Sequence, residues 1–464
     1  MIYQRRANSS RSLRILPKSE VRTDAFSINF NSPRLLSAAL CWVLLIILAN
    51  AGERGHAQEK PDVVRESAAT PAESVLHSFS GGASDGELPQ SKLISDSSGR
   101  LYGTTPTGGK YNLGTVFELT PSGSTWSESV IYSFGAPLNG ANPYGGLTID
   151  SAGNLYGTTT HGGAYGYSGG GPGYGTFFEL SHVDGSWILT GLYSFEGGSD
   201  GFYPYNREGL VQDASGNFYG TTSQGGLSGE GTAFEIIPPP SGSTVWEKKI
   251  LHNFADDAAD GGQPRNSLIL DPHGNLYGTT YYGGAHGHGT VYELSPNPPN
   301  QVWLETTLYS FGATSTDGIF PWCSLVRSAT GNLYGTTTVG GLYTEGTVFE
   351  VTPGNPSIEL TLYSFDGAKG DGVNPFSGLT TDLEGNLYGT TDGGGTYHLG
   401  TVYELSPGAP WKETILNSFG GINHGGDGAT PQYGALMVDS NNNLYGTTYE
   451  GGVHNLGTVF KISQ

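Results

Sequence analysis

The chain has 464 residues, 75 of them glycine, and a formal net charge of −21. Glycine takes positive φ at no steric cost, so this composition suits short strands joined by turns and excludes an architecture of long helices. An acidic surface of this size repels phosphate backbones, which excludes nucleic acid as a partner.

The N-terminus stands apart. Arg5, Arg6, Arg11, Arg14, Lys18, Arg22 and Arg34 precede an apolar run from Leu35 to Leu48, which ends in Ala49-Asn50-Ala51. That order predicts a signal peptide over residues 1–51, because the run is shorter than the ~20 apolar residues a spanning helix needs. An uncleaved N-terminal anchor is the alternative, and the long stretch before the run leaves the true start codon open. Without this segment the chain keeps 14 basic and 40 acidic residues, a net of about −26. Cys41 falls in the leader, leaving Cys323 alone and no intrachain disulfide. Residues 52–72 are polar and rich in Pro, Ala and Glu, which predicts a flexible linker.

From residue 73 onward the chain repeats itself. Leu/Phe-Tyr-Gly-Thr-Thr recurs with its tyrosine at Tyr102, Tyr156, Tyr219, Tyr277, Tyr334, Tyr388 and Tyr445, at intervals of 54 to 63 residues. Intervals of that size fit four-stranded propeller blades better than solenoid repeats. Each copy holds four strand-like runs, here A to D. The A–B connection is a turn of the Asp-x-x-Gly-Asn kind, as at Asp150 to Asn154. Strand D alternates, which places Trp126, Val130, Tyr132 and Phe134 on one face. Ser357 replaces the tryptophan in the fifth copy, where a weaker outer edge is expected.

The last copy stops after strand C, at Thr458 to Ile462, whereas Glu73 to Phe79 matches strand D position for position. An N-terminal strand that completes the last blade closes the ring and removes its exposed edges. The expected fold is therefore all-β, a seven-bladed β-propeller over residues 73–464 closed by residues 73–79, with an open solenoid as the alternative.

Gly-Asn-Leu-Tyr-Gly-Thr-Thr, a Gly-Gly loop, Gly-Thr-Val-Phe-Glu-Leu and Leu-Tyr-Ser-Phe together resemble the GloVer-type tandem repeat of exported bacterial proteins. The resemblance spans residues 75–464. It implies export and, in many members, a variable C-terminal surface anchor, but no agreed activity or catalytic residues. The chain ends at Lys461-Ile-Ser-Gln464, so a C-terminal anchor is not expected.

Three groups are candidate sites. Asp/Asn-Gly-x-x-Pro lies between strand D and the next strand A, with Asp85, Asp200, Asp260, Asp317, Asp371 and Asp427, and Asn139 in the second copy. Carboxylates ringing a channel mouth would suit Ca²⁺; a turn in which Asp bonds backbone N–H groups and Pro sets the entry to strand A is the competing reading. In the B–C loops Tyr111, His286, Tyr343, Tyr397 and His454 form a candidate rim for stacking sugars, or else pack over neighbouring blades. Where copies depart from the repeat, Arg207 and Glu208 are inserted before a strand A and Trp322 follows a proline; these could hold a polar ring or a carboxylate, or merely cap a gap. The glutamates of strand C, such as Glu118, are expected to be structural. No nucleophile elbow, phosphate loop or complete metal set is present.

The expected function is thus a non-catalytic exported binding propeller, monomeric, with no membrane contact beyond its export signal, whose ligand is a polysaccharide or other cell-surface polymer. A propeller-type glycan hydrolase or lyase using Arg207, Glu208 and His286, and a structural envelope protein, are the alternatives.

Overall fold

The computed structural model describes residues 71–464, apart from 136, 167–172, 298–301 and 369. The leader and nearly all of the linker lie outside the described residues. Among the described residues, seven antiparallel four-stranded sheets form the blades of a β-propeller. Blade 1 is typical, with A at Ile94–Ser95, B at Leu101–Thr105, C at Thr115–Ser122 and D at Thr125–Ser133. No helix of the described residues is long and apolar enough to cross a membrane.

The ring closes as expected. The N-terminal strand Ala72–Ser78 pairs antiparallel with the last strand, Thr458–Ser463, with Glu73 opposite Ile462 and His77 opposite Val459. Phe79 follows it into the core, fully buried and packed edge-on against Phe117 of blade 1 at 5.2 Å.

Each residue of Leu-Tyr-Gly-Thr-Thr has a separate task in strand B. The leucine is buried between blades. In six blades the tyrosine hydroxyl donates to the aspartate of the A–B turn, as from Tyr219 to Asp213 at 3.0 Å, and in blades 2 and 3 it also lies within hydrogen-bond distance of the strand C glutamate, 3.1 Å from Tyr219 to Glu235. The strand C glutamates are therefore structural acceptors. The glycine makes room for an aromatic ring: a Cβ on Gly103 would stand 2.5 Å from Phe117. The first threonine hydroxyl donates to a carbonyl of the next blade in all seven copies, from Thr279 to Cys323 at 2.7 Å through Thr447 to Ser91 at 3.4 Å. The second threonine meets the Gly-Thr threonine of strand C at 2.7 to 2.9 Å in every blade. Buried hydroxyls cost stability unless paired, and this motif pairs them both within and between blades.

Strand D differs from its sequence pattern. A β-bulge falls in each blade, in blade 1 between Val130, opposite Phe117, and Tyr132, opposite Val116. The extra residue turns the strand over, so Trp126 and Tyr132 serve opposite neighbours. Trp126 packs on Tyr445 of blade 7 at 6.3 Å, whereas Tyr132 and Phe134 join the core with Leu147 and Phe178 of blade 2. The single-face alternation expected for strand D is thereby corrected.

Candidate ligand site at the channel mouth

The D–A and B–C connections share one face of the ring and meet there. In all seven blades the residue before the motif proline is a non-glycine with positive φ: Leu88, Asn142, Tyr203, Gln263, Phe320, Asn374 and Thr430. Such a conformation is uncommon and needs support. It comes from the preceding blade, whose B–C loop carbonyl accepts the N–H, as from Leu88 to Leu456 at 2.8 Å and Gln263 to Glu230 at 2.7 Å. The proline then sits on the Gly-Thr glycine of that blade; a Cβ on Gly457 would meet Pro89 at 2.6 Å and one on Gly289 would meet Pro321 at 2.6 Å. This clamp fixes the residue after each proline in the same way. Those residues are Gln90, Tyr144, Tyr205, Arg265, Trp322, Phe376 and Gln432.

The insertion in the third copy closes the channel. Asn206 accepts the N–H of Gly146 from blade 2 at 3.0 Å, and Arg207 accepts that of Lys92 from blade 1 at 3.1 Å. The Glu208 N–H donates to Ser267 of blade 4 at 3.0 Å, and its side chain lies beside Ser324 of blade 5 and over Gly378 of blade 6. With the Arg207 guanidinium 3.8 Å above the ring of Tyr433 in blade 7, the segment touches all six other blades. It therefore stands on the axis. Glu208 faces inward, 3.9 Å from Lys92, at the end of a cavity of about 480 Å³ lined by strand A residues such as Thr148 and Ile269. Burial raises its carboxyl above the usual range, with Lys92 opposing.

Above the plug lies an aromatic cup. Arg207 is 5% exposed and, besides Tyr433, is within 6 Å of the rings of Tyr144 and Tyr205. Trp322 meets Phe376 and Tyr433, each at 5.9 Å. Arg265 lies against both Trp322, at 4.4 Å, and Tyr281, at 4.8 Å. Arg265, Trp322, Tyr281, Phe376 and Tyr433 are all partly exposed. A half-exposed aromatic surface with fixed polar groups is the general form of a small-molecule or sugar site.

The residues singled out from sequence divide accordingly. Arg207 and Trp322 come together at the mouth, but Glu208 points to the other side of the plug. His286 is an exposed B–C loop residue of blade 4, so the three residues of the hydrolytic alternative are not assembled. Tyr111, Tyr343, Tyr397 and His454 are also exposed, each on its own B–C loop. Tyr111 covers Gly135 at the end of strand D, and Tyr397 stacks on His424 at 4.0 Å. Sequence reasoning missed Arg265, Tyr144, Tyr205, Phe376 and Tyr433, although their place directly after the recurring proline, or two residues after it, was a usable signal.

The motif aspartates do not converge on the mouth. Each bonds its own turn: Asp85 accepts the N–H of Ser80 and of Gly86, both at 2.7 Å, Asp260, Asp371 and Asp427 repeat the arrangement, and Asp317 accepts from Gly312 and Ala313 instead. Their other neighbour is strand D of the next blade, at the position six residues before its phenylalanine. That position is Glu73 against Asp427, Glu128 against Asp85, Glu305 against Asp260, Glu359 against Asp317 and Glu413 against Asp371. Burial, then the neighbouring carboxylate, pushes Glu73, Glu128, Glu305 and Glu359 up to about 7 and Glu413 up to about 8. The two exceptions prove instructive. Where the strand D residue is Lys248 it pairs with Asp200 at 2.8 Å, and where the turn carries Asn139 the strand carries Leu189.

Among the described residues, His77, Asp85 and Glu128 place three donor atoms within 4.8 Å of one another. The donor set suits a divalent cation, but Asp85 already accepts four hydrogen bonds from Ser80, Gly86 and His77. Chelator treatment is accordingly expected to leave the melting temperature within about 1 °C, since a ligand bound only by the folded state must raise it. A larger fall in a thermal scan would place a cation at this seam.

The repeat itself identifies the chain. The model of the Gloeobacter/Verrucomicrobia repeat matches residues 51–206, 165–321 and 211–460. The chain belongs to this family. No curated protein is similar enough in sequence to match this repeat protein. Among solved structures it is similar to the extracellular domain of a "putative one component system" of B. thetaiotaomicron, at 14% identity and a TM-score of 0.48 over 84% of this chain and 42% of that one. It is also similar to a "putative 6-phosphogluconolactonase" of Bacteroides uniformis, at 13% identity and a TM-score of 0.44 over 75% and 95% of the two chains. A protein of unknown function from Dyadobacter fermentans matches at 13% identity and a TM-score of 0.41 over 84% and 98%. The repeat protein spans less than half of the first of these.

Proposed function

We propose that this repeat protein is an exported, non-catalytic binding propeller that holds a polysaccharide or other cell-surface polymer at the channel mouth. The observation that carries the reading is the cup itself. Aromatic side chains from blades 4 to 7 converge, partly exposed, above a channel that the Asn206-Arg207-Glu208 insertion has sealed. A sealed axis leaves a shallow surface, which suits a segment of polymer lying across it. Trp322 is the centre of that surface, and base rates for binding hot spots favour such a tryptophan.

Retention of the purified protein on immobilised polysaccharides, with assay of released reducing ends, tests the proposal. Trp322→Ala is expected to weaken retention about tenfold, with at most a few degrees lost in melting temperature. Product release by the unaltered protein would overturn the non-catalytic reading, and undiminished retention of the variant would move the site away from the cup.

A further inference from the structure

The two arginines of the mouth have no direct carboxylate partner. Among the described residues, no carboxylate lies within ion-pairing distance of Arg207 or Arg265, in a chain with 42 acidic residues and 21 basic ones. Each guanidinium is met by a neutral amide oxygen instead. Arg207 donates to Gln90 at 2.8 Å and Arg265 to Gln263 at 2.7 Å. Glu230, which accepts from Gln263 at 3.2 Å, stands one hydrogen bond further from Arg265. The Nε atoms of both arginines and the indole Nε1 of Trp322 are buried without a partner.

An unpaired buried charge is costly, and aromatic faces offset only part of the cost. Burial does draw Arg207 down to about 10, with Arg265 among the groups acting on it, yet that leaves it charged at neutral pH. Glutamines, Gln90 and Gln263, occupy the two places from which a carboxylate would pair with the two arginines.

We infer that the mouth is an oxyanion site, in which the partly exposed edge of Arg265 takes a carboxylate or sulfate group of the bound polymer while Arg207 supports it as a second fixed charge and Trp322 and Tyr433 cover the sugar. The ligand is then an acidic polysaccharide. Arginine suits this role because its planar donor fork matches an oxyanion, and the surrounding rings exclude water from the contact. The inference rests on the cup being the binding site and adds the charge of what it binds.

The test compares polygalacturonate, its methyl-esterified form and dextran sulfate as probes, at low and high salt, with the unaltered protein, Arg265→Gln and Arg265→Lys. The expected result is retention of an acidic polymer at least tenfold stronger than of the esterified one. It weakens about tenfold in Arg265→Gln, is partly restored in Arg265→Lys and falls with salt. Preference for polygalacturonate or dextran sulfate separates a carboxylate from a sulfate ester. Equal retention of acidic and esterified polymers, or of the protein and Arg265→Gln, overturns the oxyanion site while leaving a binding propeller in place. Retention of none of the three polymers, charged or uncharged, overturns both.

Discussion

A chain that begins after Phe79 is expected to lose cooperative folding at 37 °C, and Phe79→Ala alone to lose about 3–5 kcal/mol, the usual cost of emptying a fully buried aromatic site. The strand Ala72–Ser78 is the outer strand of the last blade, so its loss uncovers the backbone of Thr458–Ser463 along its length. It also detaches Phe79 from a core that includes Leu93, Leu101 and Phe117 of blade 1 and Val459 of blade 7. Two seams fail at once, and a ring opened at one place gives up the mutual support of all its blades. Denaturant unfolding of the truncated and substituted proteins checks this. A truncated chain that unfolds in one transition at the original midpoint would show that the ring does not depend on its closure.

That closure is legible from sequence because the evidence for it is a mismatch of counts: a copy without strand D at one end and a strand D without a copy at the other. The blades are legible for the same reason, since each residue of Leu-Tyr-Gly-Thr-Thr answers to a contact that recurs from copy to copy, the tyrosine in six of seven and the threonines in all. The bulge of strand D is not, because an inserted residue shifts the face without disturbing the spacing between Trp126 and Phe134. The mouth is legible only in part. Arg207, Glu208 and Trp322 stand out as departures from the repeat, but the convergence of Tyr144, Tyr205, Arg265, Phe376 and Tyr433 follows from ring closure and from the clamp on each proline. Those five sit in five copies, at positions no single copy marks as special. The aspartates mislead in the opposite way. Their regularity suggests a ring around the mouth, whereas their partners are the strand D residues of the next blade, such as Glu128, 43 residues after Asp85.

Those seams make the second prediction, that the protein is most stable in mildly acidic solution. Glu73, Glu128, Glu305, Glu359 and Glu413 bind protons up to about pH 7 or 8 in the folded state, against about 4.3 in an unfolded chain. A folded value raised in this way gives stability that is fully present below the unfolded value and is lost as pH rises through the folded one. Burial sets the sign, and the groups facing them adjust its size. Asp427, Asp85, Asp260, Asp317 and Asp371 disfavour a second negative charge, whereas His77 beside Glu128 and His252 beside Glu305 favour it and weaken those two seams' response. Turn aspartates held below their ordinary values, Asp96, Asp271, Asp382 and Asp439, act in the other direction but only below about pH 4. Lys248, drawn down to about 8 by burial, opposes the trend only above that pH. Between pH 8 and pH 5.5 the melting temperature is therefore expected to rise by about 5–10 °C, each kcal/mol being worth roughly 1–2 °C in a domain of this size. Glu413→Gln removes one titrating partner without removing its shape. It is expected to raise the melting temperature at pH 8 by about 1–3 °C and to leave it unchanged at pH 5.5, so that the variant's profile is the flatter one. A profile level from pH 5.5 to 8, or a Glu413→Gln variant destabilised equally at both, would show that the seam glutamates are not held protonated by the fold. The two departures already present in the repeat both avoid a second carboxylate at the seam: Lys248 replaces the strand D glutamate and pairs with an unchanged Asp200, and Leu189 stands where the turn carries Asn139.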